Sequence, residues 1–390
     1  MNKKLLFPLS LVVIYLVAFS GTYFGLSYMD STAQSQMTSP LADYQKEEPK
    51  NQILDIEPGA PKIAPCPLNG EMYTQVEKDA WSKRRPMAVM IENHLDARPQ
   101  SGLSSADVVY ESVAEGAITR FMGVFFCDAV SQDLTLGPVR SARTYFLDWA
   151  SEYAKNPIYV HVGGANTPNK ANALGQIEQY GWGGENDLNQ FALTVKECWR
   201  DYNRLGRTVA TEHTMYCSSE ALWKIAERRG WPAVGQDGNP WDIKFVSWKF
   251  ADAKAVPTPK ATNISFDFWK DYKDYSVSWA YDANLNAYLR TNGGVAHVDK
   301  NTDKQIAVRN LVVMYTKETG PIDDHMHMLY GTIGTGTATI FKNGDVIDAK
   351  WSKKDRMSRT IFTDSKGKEI EFARGKIWIE NLAIGAKVNY

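Results

Sequence analysis

Between Lys4 and Asp30 the chain carries no charged side chain, and the 25 residues from Leu5 to Met29 are apolar or only mildly polar throughout. A helix crosses bilayer hydrocarbon in about 20 residues, so this stretch is long enough to span with some tilt. Pro8, Gly21 and Gly25 interrupt it, and a membrane helix tolerates such residues. Lys3 and Lys4 precede it. Basic flanks stay cytoplasmic, which puts everything after Asp30 outside. The rival reading is a cleaved signal peptide, since Ser31-Thr32-Ala33 offers a small-x-small site. A secretory apolar core is usually only about 7 to 15 residues, and this one is longer. Residues 1–30 are therefore expected to be a single-pass anchor for an extracytoplasmic body.

Residues 31–67 read as a tether. Ser, Thr, Gln and charge dominate, as in Lys46-Glu47-Glu48-Pro49-Lys50, and Pro58, Pro61, Pro65 and Pro67 close it. Such a segment cannot bury enough apolar area to order itself. The remainder is expected to form two domains, 68–235 and 236–390. In the first, Met87 to Ile91, Val108 to Tyr110, Phe121 to Phe126 and Ile158 to Val162 are apolar runs of strand length. Tyr145, Phe146, Trp149, Ala150 and Tyr153 recur at helical spacing within Ser141 to Lys155. A second helix is read from Ser218 to Arg229. Interleaved strands and helices point to an α/β (α+β) domain. Gly230 to Pro259 reads as a connection with a short strand inside it. Beyond it, Tyr275 to Tyr281 alternates, Val308 to Tyr315 reads as a strand, and Lys342-Asn343-Gly344-Asp345 is a hairpin turn. The second domain is expected to be mostly antiparallel β.

A formal net charge of −1 is too balanced for a chain whose task is a phosphate backbone, so nucleic acid is excluded as a partner. Cys66, Cys127, Cys198 and Cys217 form no C-x-x-C pair. Outside the cytoplasm they permit two disulfides, with Cys198 and Cys217 the nearest in sequence; buried free thiols are the alternative.

The run Gly137-Pro138-Val139-Arg140-Ser141-Ala142-Arg143 reads as the entry to a helix with Ser141 as N-cap. Free N–H groups, the positive end of the dipole and two guanidinium forks together favour a carboxylate or phosphate. The alternative is internal pairing of Arg140 and Arg143 with Glu111 or Glu115. A second polar patch, Glu92-Asn93-His94 with Arg98 and Gln100, follows the first strand, and Glu111, Glu115 and Arg120 come next. Ionisable groups just past strand ends are where α/β sheets place ligands. Paired carboxylates there suit acid/base work, or a cation, or a salt-bridged loop. His161 and His213 are each read as either a base or a hydrogen-bonded core histidine. Asp323-Asp324-His325-Met326-His327 has the look of a metal site but lacks a third ligand nearby in sequence, so no metal is assigned. There is no G-x-S-x-G, H-E-x-x-H, Walker loop or strand-then-helix G-x-G-x-x-G, and no cofactor is expected.

These runs, in their order, resemble the YerB-like lipoprotein family, bacterial proteins made of the N- and C-terminal parts of a domain of unknown function, number 3048. The resemblance is carried by Arg85 to Asn93, Ala97 to Leu103, Ala106 to Glu111, Glu115-Gly116, Ile118 to Phe121, Gly137 to Arg143, and His161 with Gly163-Gly164. It continues through Trp199-Arg200-Asp201, Tyr281-Asp282, Asn292-Gly293, His297 and Gly375 to Ile379. Two departures stand out. Members commonly carry a lipid-modified cysteine after the signal sequence, whereas this chain has none before Cys66, which leaves the apolar helix as the anchor. Where members show Pro-His-Asn-Leu-Tyr, this chain has Glu212-His213-Thr214-Met215-Tyr216. The resemblance implies an envelope location and two domains, and it brings no activity.

The expected function is that of a non-enzymatic envelope protein, binding an anionic ligand or a cell-wall partner protein through Arg98, Arg120, Arg140 and Arg143. The alternative is a cell-wall-active enzyme with Glu92, Glu111 or Glu115 as acid or base and His161 or His213 assisting. That requires two such groups within about 10 Å in one cleft.

Overall fold

A computed structural model describes residues 51–153, 157–235, 238–252 and 254–390. The expected anchor and residues 31–50 of the tether lie outside the described residues, among which no helix is long and apolar enough to cross a membrane. The rest of the expected tether is built into the body at its end, where Ala64–Pro65 pairs with Met72–Tyr73 and Cys66 is buried in a disulfide with Cys127.

Strands far outnumber helices. The principal ones are β1 (Met87–Glu92), β2 (Val108–Glu115), β3 (Ile118–Phe125), β4 (Ile158–His161), β5 (Asp187–Asn189), β6 (Asn263–Phe266), β7 (Val277–Asp282), β8 (Ala287–Asn292), β9 (Asn310–Thr316), β10 (Gly334–Lys342), β11 (Asp345–Lys353), β12 (Ile361–Thr363) and β13 (Ile377–Ala383). The helices are short: α1 (Gln75–Trp81), α2 (Thr144–Ala150), α3 (Ala173–Gln179) and α4 (Ser219–Arg228). The fold is thus mixed α/β, with its C-terminal region mostly antiparallel.

Ten strands form one sheet in the order β12-β11-β10-β9-β13-β2-β3-β1-β4-β5. The last strand of the chain, β13, lies between β9 and β2 and is parallel to both. Residues from the two stretches 68–235 and 236–390 therefore share one hydrogen-bonded sheet. Its central strands are buried along nearly their whole length, because both faces are covered. On one face lies α2, where the Trp149 and Tyr110 rings stack at 5.3 Å and the Tyr145 hydroxyl donates to Val113 O at 2.6 Å. On the other lies the smaller sheet built on β6, β7 and β8, which places Trp279 5.4 Å from Trp378.

Local chemistry accounts for the element ends. Ser218 caps α4 by accepting from Ala221 N–H. Asn343 and Gly344 adopt φ of +59° and +81° and join β10 to β11 through a two-residue turn, as an Asn-Gly pair favours. The helix expected from Ser141 begins only at Thr144, with Arg143 in the N-cap position, so Ser141 does not cap it. The reason is the backbone before it. Arg140 N–H donates to Met90 O, while Val162 and Ala142 N–H donate to Arg140 and Gly163 O, and these bonds hold 140–142 extended. Cys198 and Cys217 face each other across paired strands and are joined, as are Cys66 and Cys127, so no described cysteine is a free thiol.

The smaller sheet is locked to the large one by charge. Arg290 of β8 is wholly buried and meets Glu111 of β2 at 2.5 Å and Glu380 of β13 at 3.8 Å. Trp279 Nε1 donates to the same Glu380 at 3.1 Å. Burial, and then the neighbouring Glu111, push the Glu380 carboxyl well above its usual range. Removing one member strands the other charge inside. Arg290→Met is expected to lower stability by about 3–5 kcal/mol in urea unfolding, and adding Glu111→Gln should restore part of the loss. A single variant as stable as the wild type would show that the ion pair does not join the sheets.

Candidate functional site

Register puts Glu92 of β1 beside Arg120 of β3, and Arg120 beside Ser112 of β2, so the three share one face of the large sheet. At the end of that row Glu92 divides its two oxygens between an imidazole and a guanidinium. His213 Nδ1 donates to Oε2 at 2.9 Å, and Arg140 Nε lies 3.2 Å from Oε1. Glu92 is buried, yet the Arg140 side chain is 26% exposed. Its Nη1 reaches only the Glu212 carbonyl, at 3.5 Å, and Nη2 meets no acceptor among the described residues. The guanidinium is thus ion-paired on its inner edge, where Nε makes no hydrogen bond, and open on its outer one.

The His213 ring stacks on His94, with centroids 4.6 Å apart and planes within 8°. Bonding to Glu92 raises the His213 pKa above its ordinary 6.5 against the opposing effect of burial. His94 Nδ1 accepts from Asp96 N–H at 3.1 Å, and Arg207 pairs with Asp96 at 2.9 Å on the rim.

Beside this mouth Glu115 sits between two arginines. Arg120 Nη2 and Arg143 Nη2 each lie 2.6 Å from it, and Arg143 Nε donates as well, at 3.1 Å. Burial alone would push this carboxyl up, but the two guanidinium charges more than reverse that and hold it at about 2. Arg120 also donates to the Ser141 carbonyl at 3.0 Å, so Ser141 contributes backbone to this cluster.

The remaining predicted residues go elsewhere. Glu111 lies on the opposite face, where Asn93 gathers the polar groups. Its amide donates to Thr119 at 2.6 Å and Glu111 at 3.3 Å, and its oxygen accepts from Arg98, Gln100 and Asn292. Gln100 accepts from His297 Nε2 at 2.8 Å, and His297 Nδ1 accepts from Arg290 at 2.7 Å. Burial first, then Arg290, hold His297 well below its usual pKa, in its neutral form. Asn93, Arg98, Gln100 and Glu111 thus connect the two sheets, and Glu111 shares no cleft with Glu92. His161 is buried between Asp187, at 2.6 Å, and the Gly163 carbonyl, as a core histidine is.

Three clusters bear on metal binding. Ligand atoms of His94, Asp96 and His213 lie within 4.8 Å of one another. The two imidazoles are nearly parallel, however, so their in-plane lone pairs do not converge, and Arg207 already holds Asp96. Cys66 and Cys127 beside Asp107 are locked as a disulfide, not thiolates. Asp323 accepts from His327 Nδ1 at 2.8 Å and from Asn169 at 2.9 Å, which makes it the brace of its loop.

Arg290, Glu380 and His297 were not singled out as site residues in the sequence. The available signal was a charge inside an otherwise strand-like run, which a buried position must pair. His94 stands next to Glu92-Asn93, but nothing in the sequence announces its stack on His213, a contact made across more than a hundred residues.

Comparison with known proteins agrees with this architecture. Residues 73–232 match the N-terminal domain, and 264–379 the C-terminal domain, of the protein of unknown function DUF3048. A Bacillus subtilis (strain 168) protein described as "Putative lipoprotein YerB" is 31% identical over 329 residues, which are 84% of this chain and 89% of that one. The crystal structure of YerB from Bacillus subtilis superposes with a TM-score of 0.66 at 30% identity, covering 84% of this chain and all of that one.

The His213 shift has a definite sign. A histidine whose pKa is raised on folding stabilises fully below its unfolded value, 6.5, and that contribution is lost as pH rises through the higher folded value. The melting temperature of the wild type should therefore exceed that of His213→Gln most at about pH 6, and the gap should narrow toward about pH 8. A gap that widens with pH would contradict the Glu92–His213 pair.

Proposed function

Because the chain belongs to the DUF3048 family, whose Bacillus subtilis relative is described as a lipoprotein, we propose that it is an envelope protein whose body binds an anionic ligand outside the cytoplasm. The anchor in this reading is the apolar segment Leu5 to Met29.

The observation that carries the binding function is the division of Glu92 between Arg140 and His213. One carboxylate holds both groups from within: Arg140 keeps Nη2 without an acceptor among the described residues, and His213, bonded through Nδ1, keeps Nε2, which is a donor when the ring is protonated. A carboxylate or phosphate accepting from the outer edge of Arg140 and from His213 Nε2 would meet donors already oriented. With His213 protonated the trio has a net charge of +1, and with it neutral the net charge is zero. Affinity should therefore fall as pH rises through the His213 pKa. Arg120 and Arg143 have a different part: they are consumed by Glu115 and hold the floor of the mouth.

A second reading rests on the same hydrogen bond. A carboxylate that orients an imidazole is also how a general base is held. Here Glu92 would be the orienting group and His213 the base, in an enzyme acting on cell-wall material.

A thermal-shift screen with anionic envelope fragments separates the readings. At about 100 times its dissociation constant a ligand should stabilise the fold by roughly 2.7 kcal/mol. The shift should vanish in Arg140→Ala and shrink between about pH 6 and pH 8 in the wild type. Chemical turnover of a fragment that His213→Gln abolishes would favour the enzyme. Absence of any shift from a well-folded sample would overturn anion binding and move the function to a partner protein.

A further inference from the structure

Away from the Glu92 mouth, a groove of about 680 Å³ opens between β6, β7 and the chain that follows β13. Pockets for small ligands are of this order. Ser265 of β6 and Ser278 of β7 both line it and are direct register partners, so their hydroxyls lie on one side of the small sheet. Their neighbours Ile264 and Trp279 point the other way, into the core.

Lys270, Lys273 and Lys387 ring the groove. Lys273 is spent on Asp267, at 2.6 Å, and the Ser276 hydroxyl donates to the other oxygen of the same carboxylate. The negative charge of Asp267 is thus offset by Lys273 within the groove wall. Lys270 and Lys387 pair with no carboxylate among the described residues, so two positive charges are left over. The wall that carries Lys387 is held by backbone bonds. Asn389 and Ser265 exchange N–H···O contacts of 2.8 and 2.9 Å, which tie the C-terminal stretch to the edge of β6.

We propose that this groove is a second binding site, separate from the Glu92 mouth, for a phosphate carried on a small polyol. Two ammonium groups without acid partners match the charge of a phosphate, which lysine binds as a point charge. Serine hydroxyls both donate and accept, and so suit the hydroxyls of the polyol. The mouth offers a guanidinium edge and an imidazole, whereas the groove offers ammonium groups and alcohols. The two therefore differ in their donors and are separable by mutation.

The test uses the full chain in an uncharged detergent, read by amide hydrogen exchange. Glycerol 3-phosphate should slow exchange in residues 263–278 and 383–389, and glycerol alone should not. Lys270→Gln/Lys387→Gln should weaken the effect at least tenfold in concentration, while Arg140→Ala leaves it unchanged. Both lysines are exposed, so the double variant should melt like the wild type. A parallel arm adds phosphatidylglycerol to the micelles, with phosphatidylcholine as control. Protection by the soluble probe assigns the site to a free polyol phosphate, and protection by phosphatidylglycerol alone assigns it to a lipid headgroup. No protection in either arm, or protection that the double variant retains, overturns the proposal.

Discussion

Arg290 is the point on which the two sheets depend. It enters from the small sheet, is wholly buried, and reaches carboxyls on two adjacent strands of the large one. Those strands, β2 and β13, lie more than 250 residues apart in the chain, and their parallel pairing is what makes the large sheet continuous. A guanidinium out of water costs several kcal/mol unless its charge and its N–H groups are met. Glu111 meets the charge, His297 accepts from Nη1, Nε faces Glu380 at 3.8 Å without a hydrogen bond, and the rings of Trp378, Phe121 and Trp279 lie within 5.6 Å of the guanidinium carbon. An apolar residue would pack here without fixing a partner. An arginine with these demands allows one placement of the small sheet on the large.

That placement decides what the candidate site can be. Alternation along β2 sends Glu111 to the small-sheet face and Ser112 to the helix face, and along β3 it sends Phe121 and Arg120 the same two ways. The polar residues that crowd the sequence between Glu92 and Arg143 are therefore two sets. Asn93, Arg98, Gln100 and Glu111 are turned toward the small sheet and satisfied there. Glu92, Glu115, Arg120, Arg140 and Arg143 stay together at the helix side, joined by His213. Within the second set Arg140 is the cation with an outer edge to spare.

The strands were legible because their apolar runs are long, and the Asn-Gly hairpin because few other turns accept that pair. Cys198 and Cys217 were legible as neighbours in sequence. What could not be read was the partner of each charge. Arg143 looks like an anion ligand beside a helix start, but the helix begins later and the side chain folds onto Glu115. Periodicity reports which residues face inward. It does not say that β13 returns to lie against β2, and without that pairing Glu380 has no reason to be noticed.

The choice between recognition and catalysis at Glu92 then turns on Arg140. A base must take up a proton, and a guanidinium on the same carboxylate weakens the hold of Glu92 on the imidazolium that results. That arrangement makes His213 a poorer base than a carboxylate–histidine pair alone would be. For an incoming anion the same guanidinium is an asset, because it adds a fixed positive charge and a free edge at the entrance. One carboxylate shared by two cations is a costly way to build a base and a direct way to orient two donors. On the proposed reading, the arrangement around Glu92 suits holding an anion better than moving a proton.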